Sequence, residues 1–224
     1  MKKRKTLIIL AAACALALIL GLALICYMIF PTAPVLGGNY TPKTDIICID
    51  PGHGGSDPGA LNGERQEKDD NLTLALLVAE YLRELGYTPL LTRNDDTYLT
   101  LGDRCEIAND ADAAYFVSLH RNSAAESAKG VEIWISSKKT AAERRLAQTL
   151  MDALIDVGVQ SDRGVKAGTQ ASVDNDYAVN KNTDMPSCII ELGFISNTED
   201  NRLYDKHLNE YAEAIAEAIA EVMK

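Results

Sequence analysis

The chain has 224 residues and a formal net charge of −10, and 47% of its residues are hydrophobic. The acidic balance argues against nucleic acid as a partner, because phosphate binding calls for a basic patch, and the hydrophobic fraction argues against disorder. The charge is unevenly distributed: residues 2–5 (KKRK) are all basic, which leaves 18 basic against 32 acidic residues, or −14, for the rest of the chain.

Residues 7–30 form an uncharged apolar run of 24 residues. A helix of this length rises about 36 Å, enough to cross a hydrocarbon core of roughly 30 Å. The run therefore predicts a single N-terminal transmembrane helix. A cleaved signal peptide is the alternative, although its apolar region would be only about 7–15 residues. A lipoprotein signal at Cys14 fits less well, because the apolar run continues beyond it.

Three segments are predicted from this organisation. Residues 1–30 are a basic cytoplasmic end and a membrane anchor, and residues 31–43, rich in Pro, Gly and Thr, are a linker of at most about 45 Å. Residues 44–224 form one globular domain. Because basic flanks stay cytoplasmic, we expect a single-pass protein of the cell membrane with an extracytoplasmic domain. Cys48 and Cys188 lie in apolar runs, which predicts buried thiols, and we expect no structural disulfide.

Strands and helices alternate along the predicted domain. Apolar runs predict strands over residues 45–50, 88–92, 114–119, 131–136 and 187–192, and helical stripes predict helices over 67–85, 99–109, 140–157 and 207–223, with a short helix capped by Thr198. This alternation is typical of an α/β fold with a mostly parallel central sheet flanked by helices. In such folds ligands gather beyond the carboxyl ends of the strands.

Two histidines follow predicted strands. His53 lies in the turn IDPGHGGSDPGA, and His120 ends the run AYFVSLH. Both are candidate ligand-binding residues, and two surface-loop histidines are the alternative. His207, at the start of a helix, is predicted to lie on the surface. A phosphate cradle at the Gly-rich turn is disfavoured, because Asp57 stands where a dinucleotide motif needs glycine and Ala60 where a phosphate loop needs lysine.

A catalytic zinc site needs a third protein ligand beside two histidines, and His₂Glu with an open position is a standard set. Glu67, at the start of the first helix, is favoured by position, and Glu64 is the alternative. Glu191 is unusual because it follows three apolar residues in SCIIEL. It is interpreted either as a general base for metal-assisted hydrolysis or as a buried glutamate paired with Arg93 or Arg104.

The domain resembles the zinc-dependent N-acetylmuramoyl-L-alanine amidases of bacterial cell walls, specifically the type 3 amidase catalytic domain. The resemblance covers residues 45–222. The matching stretches, in chain order, are IDPGHGGSDPGA, EKDDNLTLALLVAEYL, LLTRNDD, the helix with Arg104 and Asn109, FVSLHRNS, GVEIW, RGVK and MPSCIIELGFISN. Together, in this order and at these intervals, they form a specific pattern.

The resemblance implies zinc on His53, Glu67 and His120 and a catalytic role for Glu191. It implies hydrolysis of the amide that joins N-acetylmuramic acid to L-alanine in peptidoglycan. We also expect Asn122 and Arg121 at the substrate-binding site. Arg121 departs from the small residue common in the family, and it is expected either to contact substrate carboxylates or to point to solvent.

Some family members carry an inserted inhibitory helix, which we do not expect here, because one strand and one helix fill residues 131–164. The sequence shows no wall-binding repeat, and it identifies no protein partner. The rival interpretations are an inactive binding module, a zinc peptidase acting on another muropeptide bond and a structural membrane protein. An inactive binding module would need one of the key residues to be replaced. A zinc peptidase with another target bond has the weaker motif match. A structural membrane protein leaves the histidines and glutamates unexplained.

Overall fold

A six-stranded sheet forms the centre of the domain. Its strands are β1 (Ile46–Pro51), β4 (Thr88–Leu91), β5 (Tyr115–Asn122), β6 (Val131–Ile135), β7 (Asp162–Ala167) and β8 (Ser187–Phe194). Their order across the sheet is β4-β1-β5-β8-β6-β7. Two short strands, β2 (Leu61–Asn62) and β3 (Arg65–Gln66), form a separate hairpin. All neighbours in the large sheet are parallel except β6 and β8. The predicted mostly parallel α/β fold is confirmed.

The structure, a computed structural model, describes residues 40–224. The predicted anchor at residues 1–30 lies outside this range, as does most of the predicted linker. Within the described range no helix has the length and apolar character needed to cross a membrane.

Helices cover both faces of the sheet. They are α1 (Glu67–Glu84), α2 (Leu101–Asp110), α3 (Ala141–Val157), α4 (Ala178–Asn182), α5 (Thr198–Lys206) and α6 (Leu208–Val222). The larger core lies where α1, α3 and α6 pack on one face, around residues such as Val117 and Ile190. The smaller core includes Phe116, Trp134 and Ile189 and lies on the opposite face, because successive strand residues alternate in direction.

Two features of the sequence prediction are corrected. Residues 131–164 hold more than one strand and one helix, since β7 begins at Asp162. This strand lies at the sheet edge and is half-exposed, so its sequence, DRGVKA, is not an apolar run. The sequence pattern therefore did not predict it. The cap of α5 is Asn197 rather than Thr198, because the Asn197 side chain accepts hydrogen bonds from the backbone N–H groups of Glu199 and Asp200.

The thiols of Cys48 and Cys188 are buried and free, which confirms the predicted buried thiols. Burial raises the pKa of both. These cysteines therefore act as small apolar side chains in the two cores.

Candidate metal centre and active site

His53, Glu67 and His120 meet at the carboxyl edge of the sheet. His53 follows β1, Glu67 is the first residue of α1 and His120 lies near the end of β5. Each offers one ligand atom, and these atoms all lie within 4.8 Å of one another. His53 Nε2 is 3.2 Å from Glu67 Oε2, and His120 Nδ1 is 2.9 Å from Glu67 Oε1. Glu64, the alternative from the sequence, is not part of this cluster.

Gly52 and Gly59 have no side chains, and this leaves space for the side chains of the cluster. A Cβ atom at Gly52 would lie 2.2 Å from His120 Cε1. A Cβ atom at Gly59 would lie 2.6 Å from Glu67 Oε2 and 2.7 Å from His53 Cδ2. A side chain at either position would displace a member of the cluster, so the Gly-rich turn is a steric requirement of the site.

The His53 backbone adopts a left-handed conformation, with φ at 61°. Such a conformation is strained for a residue with a side chain and persists where its surroundings fix it. Arg104 Nη2 donates to the His53 carbonyl at 2.7 Å, and Arg104 is itself held by a buried ion pair with Asp50, at 2.7 Å. Asp57 Oδ2 lies 2.8 Å from His53 Nδ1, which leaves Nε2 directed at Glu67. The turn therefore presents one defined nitrogen to the cluster.

The electrostatics of the cluster favour charged groups. Burial alone would favour neutral imidazoles, but hydrogen bonding to Glu67 outweighs it and raises the pKa of His53, and that of His120 to about 9. Burial would also favour a neutral Glu67, yet the two histidines hold the pKa of that carboxyl far below its usual range. Glu67 is therefore ionised, and its negative charge can stabilise either protons on the two imidazoles or a bound cation.

Glu191 stands beside this cluster. It is paired with His120 in the parallel register of β8 and β5, and its Oε2 is buried without a hydrogen-bond partner among residues 40–224. Burial raises the pKa of Glu191 to about 7; the histidines lower it, and the negative charges of Glu67 and Glu132 add to the rise. A proton acceptor with a pKa near neutrality suits general base chemistry.

The alternative interpretation of Glu191, an ion pair with Arg93 or Arg104, is wrong. Arg104 Nη1 pairs with Asp50, as described above. Arg93 donates to the backbone carbonyls of Pro51, Gly52, Lys68 and Asp95. Both arginines brace the turn that carries His53 and do not contact the buried carboxylate.

The expectation that Arg121 points to solvent is wrong, because its side chain is buried and paired with Asp70. A substrate contact by Arg121 stays a prediction. Its side chain is buried on the sheet face opposite His120, since neighbouring strand residues alternate. There Nη1 donates to Asp70 at 2.5 Å, Nη2 donates to Asn201 at 2.7 Å and the guanidinium lies 4.3 Å from the Tyr204 ring centroid. These contacts tie β5 to α1 and α5.

Asn122 is buried, and its Nδ2 donates to Glu132 Oε1 at 2.8 Å. A substrate contact by Asn122 stays a prediction. Glu132 itself was missed in the sequence, although the signal was available: it interrupts the apolar strand VEIWI just as Glu191 interrupts SCIIEL. Glu132 is paired with Glu191 in the antiparallel register of β6 and β8.

The donor set suits a catalytic transition metal. Two imidazoles and one carboxylate converge, and no fourth side chain belongs to the cluster in the described part of the chain. Three protein ligands with an open position distinguish catalytic from structural zinc sites. The Asp57 carboxylate behind His53 is the usual outer partner of a metal-binding imidazole.

Comparisons with known proteins point to one enzyme family. The family model for N-acetylmuramoyl-L-alanine amidase matches residues 47–223. The protein YqiI of Bacillus subtilis (strain 168) is 35% identical over 196 residues, which span 87% of this chain and 91% of YqiI. The N-acetylmuramoyl-L-alanine amidase LytC of the same organism is 35% identical over 158 residues, which span 70% of this chain and 30% of LytC.

A solved structure agrees with these sequence relatives. The N-acetylmuramoyl-L-alanine amidase from Clostridium difficile 630 superposes with a TM-score of 0.72 at 32% identity, over 82% of this chain and 97% of that one. The family-model match at residues 47–223 includes all four residues of the candidate site. The resemblance seen in the sequence is confirmed, and the chain belongs to the N-acetylmuramoyl-L-alanine amidase family of cell-wall hydrolases.

Proposed function

We propose that His53, Glu67 and His120 hold a zinc ion, and that Glu191 is the general base of the family's reaction. That reaction hydrolyses the amide between N-acetylmuramic acid and L-alanine, and its substrate is peptidoglycan. The observation that carries the proposal is the convergence of three ligand atoms within 4.8 Å beside a buried, unpartnered carboxylate oxygen.

Zinc is proposed over a harder cation because two of the three ligands are imidazoles, which suit zinc better than magnesium or calcium. His53, Glu67 and His120 would hold the zinc ion, which would supply Lewis-acid polarisation of the amide carbonyl and would lower the pKa of the attacking water. Glu67 lies close to both histidines. When the imidazoles lose their protons, a bound cation would replace those protons as the positive charge beside the Glu67 carboxylate.

Glu191 performs the proton transfers. Its free Oε2 accepts the proton of the attacking water as the oxygen bonds to the amide carbon, and it returns that proton to the amine of L-alanine as the carbon–nitrogen bond breaks. The products are the lactyl carboxylate of muramic acid and a stem peptide with a free amino end. A pKa of about 7 lets the same carboxyl accept and then release the proton at neutral pH.

The experiment combines metal analysis with product analysis on the full-length protein. We expect one zinc per chain in wild type and in Glu191→Gln. Purified peptidoglycan treated with wild type should yield free L-alanine amino ends, and Glu191→Gln should release them at least about a hundredfold more slowly. Equal release by both proteins, or cleavage at another bond, would overturn the proposal.

We also propose that residues 1–30 anchor the enzyme in the cell membrane, with the catalytic domain outside the cytoplasm. The support is the uncharged run of residues 7–30 preceded by the basic residues 2–5. Wild type should fractionate with membranes and be degraded by external protease in spheroplasts. A variant lacking residues 1–30 should appear in the soluble cytoplasmic fraction. Protection of wild type from external protease would reverse the proposed orientation.

A further inference from the structure

A cationic pair lies two strands away from Glu191. Glu191 on β8 is paired with Glu132 on β6, and Glu132 Oε2 accepts hydrogen bonds from Arg163 Nε at 2.8 Å and Lys166 Nζ at 2.5 Å, both on β7. Paired residues on neighbouring strands project from the same face, so His120, Glu191 and Glu132 form a row that leads from the metal cluster to these two cations.

The cations outnumber the charge that they neutralise. Glu132 is buried and also accepts hydrogen bonds from Asn122 and Trp134, so its oxygens are already well satisfied. One cation would balance this carboxylate, and the second has no carboxylate of its own among the described residues. In a chain with a formal net charge of −10, two adjacent cations that share one carboxylate are unusual.

Both cations keep unused donors that face outward. The side chains of Arg163 and Lys166 are 35% and 33% exposed. Arg163 bonds Glu132 through Nε alone, and neither of its terminal nitrogens has a hydrogen-bond partner in the described residues. The guanidinium lies 4.8 Å from the Phe194 ring centroid, and Lys166 Nζ lies 5.2 Å from the Trp134 ring centroid. Aromatic contacts and Glu132 thus fix both cations in place, which lowers the entropy lost when an anion binds.

We propose that Arg163 and Lys166 form a subsite for a carboxylate of the stem peptide, on the peptide side of the scissile amide. This inference rests on the proposed function, since it takes Glu191 as the reacting centre. Neighbouring strands are about 4.8 Å apart, which places β7 about 10 Å from β8. An extended peptide advances about 3.4 Å per residue, so the acidic residue that follows L-alanine brings its carboxylate within reach of this pair.

The test compares two soluble substrates that differ in one carboxylate. They are N-acetylmuramoyl-L-alanyl-γ-D-glutamyl-L-lysine amide and the same compound with D-isoglutamine in place of D-glutamate. Wild type should show a kcat/KM about tenfold higher for the acid, mainly through KM, as one charge-assisted contact would give. Arg163→Gln and Lys166→Gln should each reduce this preference severalfold, and Arg163→Lys should retain part of it.

Lys138→Gln is the matched control, because Lys138 is exposed and follows the far end of β6. It removes one positive charge and should leave the preference unchanged. If Arg163→Gln slows hydrolysis of both substrates by the same factor, the inference is overturned. Arg163 would then act only by holding Glu132 in place. An unchanged preference would overturn the inference too. Thermal unfolding of each variant checks that the fold persists.

A binding measurement separates this inference from the proposed chemistry. Glu191→Gln should bind the acid about tenfold more tightly than the amide by calorimetry, and the double variant with Arg163→Gln should lose that difference. If wild type releases no amine from either substrate, the proposed function fails, while the binding preference still decides the subsite. Equal binding of acid and amide would overturn the subsite even if wild type hydrolyses both.

Discussion

Glu191 on β8 lies directly beside His120 on β5, because the two residues are partners in the parallel register of these strands. One sheet contact thus joins a carboxyl whose oxygen lacks a partner to an imidazole of the metal cluster. Strand pairing fixes this relationship more rigidly than a loop could, since a shift by one residue would turn Glu191 to the opposite face.

Glu191→Gln should reduce kcat by two to four orders of magnitude, the range of general base catalysis. The amide keeps the size of the side chain and cannot accept the proton. Zinc content and unfolding temperature should stay at the wild-type values. Product release from peptidoglycan and metal analysis measure both effects. A variant that keeps more than a tenth of wild-type kcat would assign the base elsewhere.

Gly52→Ala should weaken zinc binding at least tenfold, because its Cβ would lie 2.2 Å from His120 Cε1 and push the ring away. Competition with a chromogenic chelator measures the affinity. Gly102→Ala is the matched control: its Cβ would meet nothing nearer than Thr100 Oγ1 at 3.6 Å. Because that Cβ would contact no member of the cluster, the change should leave zinc affinity unchanged. Equal zinc affinity in both variants would contradict the steric role of Gly52.

Arg121→Met should destabilise the fold by about 2–3 kcal/mol, because it leaves the Asp70 carboxylate with only its Arg65 partner. Zinc affinity and KM should change little, because Arg121 is buried away from the site. Chemical denaturation and steady-state kinetics measure these quantities. Arg202→Met, which breaks the exposed pair with Glu199, should leave the midpoint unchanged. A large rise in KM without loss of stability would identify Arg121 as a substrate contact instead.

Asp50 should govern part of the acid sensitivity of the fold. Burial raises the pKa of this carboxyl, but the Arg104 guanidinium and hydrogen bonds from Ser118 and Thr92 outweigh burial and lower it. A lowered folded-state pKa contributes stability that is fully present above the unfolded value, about 3.9, and is lost as pH falls through the folded value.

Asp50→Asn should therefore destabilise the protein at pH 7 and flatten the decline of stability below about pH 4. Denaturant unfolding between pH 3 and pH 7 measures that slope. The exposed Asp110→Asn is the control and should keep the wild-type slope. If both variants decline in parallel with wild type, Asp50 does not carry the acid dependence.

Much of the site could be predicted from the sequence, because its signals are local. A Gly-rich turn after an apolar run exposes His53, an apolar run ends at His120, and Glu191 interrupts another apolar run. Each pattern indicates a polar side chain at the end of a buried strand. The period of the apolar residues gave the main helices and five strands of the large sheet for the same reason.

Tertiary structure decided what depends on distant partners. Glu67 meets His120 across 53 positions of sequence, and its position along the chain favoured it over Glu64 without deciding between them. Arg121 is buried because Asn201, 80 positions away, and Asp70 receive its guanidinium. The edge strand β7 lacks an apolar run, and only its pairing with β6 brings Arg163 and Lys166 to Glu132. Local sequence determines which residues can carry chemistry, whereas long-range strand pairing and burial determine which of them act together.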